Sequence, residues 1–224
     1  VQRQELASLF WYYYFMEVHS GSQALLGNAM ISYRDNGFKN QDMSWFSFRD
    51  YWHDFALSHL NIPGEKTGVW DNLDQNFAMV NASARDAAEI VQLPDPFGDV
   101  VELKPLSQKY FSVEGLFAAN DHVIFSLPDK EIPEGVEISA VLSRTDTGQE
   151  TWEALPITES SLGEHWFMRF PVNGEPKIDA DSSIAYNDII FVVSNYSDTD
   201  DLELNMVITN HLGDKYEGRG VELE

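Results

Sequence analysis

The chain has 224 residues, with 14 Lys and Arg against 37 Asp and Glu, for a formal net charge of −23. That balance excludes nucleic acid as the main partner, because a polyanion is repelled by such a surface. The absence of cysteine excludes a disulfide scaffold. At 43% hydrophobic and 13% aromatic content the chain can build a core, and it holds no run of about 18 charge-free apolar residues that would span a bilayer.

The charge is uneven: 7 basic and 14 acidic side chains in residues 1–105, and 7 basic and 23 acidic in residues 106–224. Val1 opens the chain with no charged segment followed by an apolar one, which reads as a processed product or an excised piece. The organisation expected is α+β. An N-terminal antiparallel helical subdomain (1–62) leads through a connector (63–105) to an antiparallel, jelly-roll-like β-sandwich (106–224).

Glu5 to His19 reads as a helix, free of Pro and Gly, with Gly21 just past its end. Leu6, Leu9, Phe10, Tyr13 and Met16 form one stripe, and Trp11, Tyr12, Tyr14, Phe15 and Val18 cover much of the rest. A helix apolar nearly all round asks to be buried on most sides, so another polypeptide segment or subunit is expected against it. Ser22 can cap a second helix that stops at Asp35-Asn36-Gly37. Ser47, with Asp50 three residues on, opens a third. Its expected buried stripe is Phe48, Tyr51, Trp52, Phe55, Ala56 and Leu60, and Pro63 ends it.

Within the connector, Ala82 to Ile90 reads as a short helix, and Pro94, Pro96 and Gly98 as turns. From about residue 106 the period becomes two. Strands are expected at 110–114, 122–127, 136–142, 152–157, 165–172, 189–194 and 202–209, the last two as a hairpin across an acidic turn. Ile189 to Val193 is apolar on both faces, so something must cover both sides of that strand.

No H-E-x-x-H, phosphate-binding loop or nucleophile elbow is present. His53 and His59, six apart, read as side chains on different helix faces. The acidic runs are the candidate metal ligands: Asp179 and Asp181 ahead of a core strand, and Asp198, Asp200 and Asp201 in the final turn. Oxygens crowded into a turn suit Ca²⁺; a solvated turn is the plainer reading. Trp152 and Trp166 are candidates for a ligand platform or for core packing. Asn81 and Asn195 each begin an N-x-S sequon.

Three runs carry a family resemblance: Phe48-Arg49-Asp50-Tyr51-Trp52-His53-Asp54-Phe55-Ala56-Leu57-Ser58-His59-Leu60-Asn61, then Val69-Trp70-Asp71-Asn72-Leu73, then Pro105-Leu106-Ser107-Gln108-Lys109-Tyr110-Phe111. Together they resemble the region after the catalytic helix in secreted bacterial zinc metallopeptidases of the gluzincin type. Ile190-Phe191-Val192-Val193-Ser194-Asn195 resembles the accessory sandwiches appended to such enzymes. The resemblance implies an extracellular or periplasmic protein whose helical subdomain is joined to a C-terminal sandwich. Zn²⁺ would enter only if an upstream segment supplied ligands, with Glu5 in the place of the family's downstream Glu ligand. The chain would then be the non-catalytic accessory or binding portion of a peptidase-like protein. Two other readings stand beside it: a carboxylate-based, glycosidase-like hydrolase, and a structural or assembly protein that associates through the aromatic first helix.

Overall fold

A computed structural model describes residue 14 and residues 48–60, 88–115, 121–146, 149–164, 166–172 and 188–210. The second helix, Glu5, Asp179, Asp181, Asn81 and the histidines at 19, 165 and 211 lie outside the described residues. So does the expected first helix apart from Tyr14. That tyrosine is 3% exposed and meets the Tyr51 ring edge-on, with centroids 5.1 Å apart.

The period-two stretches do form strands. β1 (Glu89–Leu93), β3 (Ser107–Gly115), β5 (Val136–Asp146), β6 (Gln149–Ile157) and β8 (Asp188–Asn195) make one sheet, in the order β1-β3-β8-β5-β6. β2 (Phe97–Leu103), β4 (Asp121–Ser126), β7 (Phe167–Val172) and β9 (Leu202–Thr209) make the other, in the order β2-β9-β4-β7. The chain is therefore α+β with a two-sheet sandwich. From β2 onward the pairing is nested: β5 with β6, β4 with β7, β3 with β8 and β2 with β9, all antiparallel.

Three details differ from the sequence reading. Residues 89–103, read as connector and partly as helix, supply β1 and β2. Their alternation is interrupted by Pro94, Pro96 and Gly98, which conceals it. β1 also runs parallel to β3, so the larger sheet is mixed rather than wholly antiparallel. Finally, β8 and β9 are not a hairpin. β8 pairs with β3 and β5, and β9 with β2 and β4, so the acidic turn crosses from one sheet to the other. Alternation reveals which face a residue takes; it carries no information about which strand lies alongside.

Between the sheets lies the main core. Phe111, Phe125, Phe170, Phe191, Leu103, Leu142 and Ile189 are fully enclosed there. Val123, Phe125 and Leu127 point into it from β4 and its end, while Ile124 faces the other way onto Phe167. Each fully buried side chain of this size contributes roughly 1.5–3 kcal/mol.

The other face of β8 is covered too. A 3₁₀ turn (Phe48–Asp50) leads to helix α1 (Trp52–Ser58), which lies on the outer face of the larger sheet. Ala56, Leu57 and Leu60 pack there on Val141, Ile190 and Val192. Burial of Ile190 and Val192 under α1, and of Ile189, Phe191 and Val193 in the main core, meets the expectation for a strand apolar on both sides. Seven residues cannot hold a helix in water by themselves, so this packing holds α1 in place. The helix begins later than read: Tyr51 is its N-cap with φ −136°, and no side chain caps it.

Trp152 and Trp166 are half-buried, the first against the cluster under α1 and the second against the main core, so both contribute to packing. Among the described residues no helix is long and apolar enough to cross a membrane.

Candidate functional site

The outward positions of β5 and β8 alternate along the strands, and Val141, Ile190 and Val192 are the apolar ones under α1. Ser139 and Ser194 interrupt them. Both serines are buried, and His53 on α1 reaches both. Its Nδ1 is 2.7 Å from Ser194 Oγ and its Nε2 is 2.8 Å from Ser139 Oγ. A neutral imidazole has one N–H and one lone pair. One serine therefore accepts from the ring while the other donates to it. His53, Ala56, Leu57 and Leu60 fall at helical i, i+3, i+4 and i+7, which is the face that meets the sheet.

Further bonds fasten the helix. Tyr110 Oη on β3 donates to the Ala56 carbonyl at 2.8 Å, and burial pushes that phenol well above its usual pKa. At the C-terminal end the Phe55 carbonyl accepts from Ser58 Oγ at 2.6 Å and from His59 Nδ1–H at 2.9 Å. The His59 ring stands edge-on to Phe55, with centroids 4.3 Å apart. Burial lowers its pKa to about 4, against the smaller opposing pull of the Phe55 carbonyl. Both histidines are thus buried.

Beside His53 a cleft of about 600 Å³ opens between α1, the β4–β5 loop and the end of β6. Leu57, Ile132, Ala154 and Ile157 give it an apolar wall. His53 and Ser139 reach its floor, and Tyr196, just after β8, closes one side. Four carboxylates line it (Asp54, Glu134, Glu137 and Glu159) against one guanidinium, Arg49. The Arg49 guanidinium carbon sits 5.9 Å from the centre of the Tyr196 ring, within cation–π range.

Local sequence shapes the rim. The one-turn helix α2 (Glu159–Leu162) is capped by Thr158, whose Oγ1 accepts from Ser161 N at 3.3 Å while Ser161 Oγ accepts from Thr158 N at 2.8 Å. Gly135 turns the β4–β5 loop into β5 with φ +101°, and its carbonyl accepts from Tyr196 N at 2.8 Å. A Cβ there would lie 2.7 Å from Leu202 Cδ1. Gly135→Ala is expected to cost about 1–3 kcal/mol, from the left-handed φ and the overlap together. Urea unfolding checks it, and a loss under 0.5 kcal/mol, roughly the scatter of a neutral surface change, would contradict it.

The acidic turn is tied by its own bonds. Asp200 Oδ2 accepts from Ser197 Oγ at 3.0 Å and Thr199 Oγ1 at 3.1 Å, and Asp201 Oδ2 pairs with Lys104 Nζ at 2.6 Å. Asp198 is exposed in the same turn. Among the described residues no three His, Asp or Glu side chains gather as a metal site. Of the five acidic residues singled out in the sequence, the fold thus brings Asp198, Asp200 and Asp201 into one turn, remote in sequence from the cleft residues of α1 and β5.

Asn195 ends β8 fully enclosed. Its Nδ2 donates to the carbonyls of Leu103 (3.2 Å), Lys104 (3.1 Å) and Asp200 (2.8 Å), and its Oδ1 accepts from Ser197 N at 2.8 Å. With its amide so engaged, the sequon at Asn195 is structural.

Sequence reasoning did not find the His53–Ser139–Ser194 set, whose members are 86 and 141 residues apart. The available signal was Ser139 and Ser194 on the faces that also carry Val141, Ile190 and Val192, opposite a histidine at the helical spacing of Leu57 and Leu60. No protein-family model matches the chain, and no curated protein matches it in sequence.

Proposed function

We propose that the chain is a non-catalytic binding portion of an exported, peptidase-like protein, and that the cleft beside His53 is where it binds. The observation that carries this reading is the cleft itself. It is concave and half apolar, with a few converging polar groups, and its volume falls in the range of about 300–1,000 Å³ typical of ligand sites. The nested strand pairing supports a jelly-roll-type wrap for the sandwich. Peptidase relationship and export rest on the sequence resemblance.

The His53 set supports binding over catalysis. Its distances suit a serine activated by a histidine, but Ser139 is 2% exposed in the middle strand of a continuous ladder beneath α1. His53 there joins helix to sheet. Calcium forms no part of this reading, because Asp200 and Asp201 already accept from Ser197, Thr199 and Lys104.

Two measurements test the proposal. The isolated chain is expected to turn over neither peptide nor ester substrates, and Ser139→Ala is expected to change nothing in that assay. Turnover abolished by Ser139→Ala would overturn the non-catalytic reading. The encoding gene is expected to place an H-E-x-x-H helix ahead of Val1 in the same polypeptide. A full-length product without one would remove the peptidase relationship and leave the cleft untouched.

A further inference from the structure

We infer that the cleft accepts a cationic side chain of a polypeptide, arginine above all, laid against Tyr196. The inference rests on the proposed binding role of the cleft and adds the chemical class of what enters it. Three features of different kinds converge. The apolar wall of Leu57, Ile132 and Ala154 suits the aliphatic stem of a long basic side chain, which buries its methylenes while its head stays polar. The Tyr196 ring presents a face on which a planar guanidinium stacks better than a compact ammonium. That face already holds a guanidinium, from Arg49 at 5.9 Å.

Arg49 is exposed, so its head can move into water at small cost. It acts as an internal stand-in for the ligand: it shows that the ring holds a guanidinium, and it competes for the same place. Four carboxylates line the cleft, Asp54 and Glu137 half-buried and Glu134 and Glu159 exposed, so its negative lining favours a cation. An anionic ligand would be repelled by that lining, and a plain apolar one would gain nothing from its charge.

The test is an NMR titration of the ¹⁵N-labelled chain with N-acetylarginine methylamide and with its citrulline counterpart, which keeps the shape and loses the charge. Shifts are expected at Arg49, Leu57, Ile132 and Tyr196, with citrulline about tenfold weaker, which corresponds to about 1.4 kcal/mol. Arg49→Gln is expected to tighten the arginine probe, by removing both the competitor and a like charge. Glu134→Gln, on an exposed loop where folding is not at stake, is expected to weaken it. Glu89→Gln, on the far edge strand, is expected to leave it unchanged.

Citrulline binding as tightly as arginine would overturn the cationic assignment and leave the cleft as a binding site. Shifts at the cleft from N-acetylglutamate instead would do the same. Equal weakening by Glu89→Gln and Glu134→Gln would overturn it as well, by tracing the attraction to the charge of the whole chain. No shift at the cleft from any of these probes would overturn the binding role and the cationic assignment together.

Discussion

Asn195→Ala is expected to destabilise the fold by about 3–5 kcal/mol. The residue is wholly enclosed, and one amide serves three strand-end carbonyls from two other segments while its oxygen takes the Ser197 N–H. Removing it takes the partner from the buried Leu103 carbonyl and from three part-buried backbone groups at once, and an unmet buried group costs about 1–3 kcal/mol. Asn195→Asp separates donor loss from packing loss. It keeps the size and the acceptor for Ser197, but it offers nothing to the carbonyls of Leu103, Lys104 and Asp200 and adds a buried charge. It should therefore cost at least as much as the alanine. Urea unfolding of both variants checks this. A loss below 1 kcal/mol, about the net worth of one ordinary hydrogen bond, would show that the turn holds without this amide.

The second expectation concerns acid. His59 has a folded pKa of about 4, set first by burial, against an ordinary value near 6.5. Between those two values the unfolded chain binds the proton and the folded chain does not. Stability therefore falls as pH drops through that window. Above pH 6.5 the neutral ring costs nothing; by pH 4 the accumulated loss from this residue is about 3 kcal/mol, at 1.36 kcal/mol for each pKa unit. Carboxylates add their own dependence, so the decisive comparison is with His59→Asn, a smaller group that does not titrate. The slope of stability against pH between 6.5 and 4 should be shallower in the variant by about 1 kcal/mol per pH unit. Parallel slopes would show that His59 is protonated in the fold without penalty.

Both expectations involve residues whose importance the linear sequence does not announce. Asn195 reads there as the start of a sequon, and only the convergence of the β2–β3 turn, the end of β8 and the acidic turn makes it a buried hub. His59 reads as a residue near the end of the third expected helix, on a different face from His53. In the fold it is 3% exposed, with its ring edge-on to Phe55 and its Nδ1–H on the Phe55 carbonyl.

Much was legible all the same, wherever a local pattern reports a local cause. The alternation of Val123, Ile124, Phe125 and Leu127 identifies β4 and sorts its faces. The double-sided apolar run at 189–193 requires cover on both sides, and the main core and α1 supply it. The composition shift from aromatic helix to period-two strands gives the α+β class. β1 and β2 were missed because prolines and a glycine sit at the turns between and around them, and because Ile90, 58% exposed, and Val100, 46% exposed, put apolar residues at outward positions of edge strands and so break the apolar–polar alternation.

Period and composition thus settle the class of the chain, the faces of its central strands and its acidity, because each depends on neighbours within a few residues. The pairing partners, the crossing of the acidic turn between sheets, the His53 link and the cleft are different in kind. Many arise where segments far apart in the chain meet, as β3 with β8 and α1 with β5 and β8. Such meetings are selected by the total burial and hydrogen bonding of the assembled sandwich, a quantity that no short stretch of the chain contains.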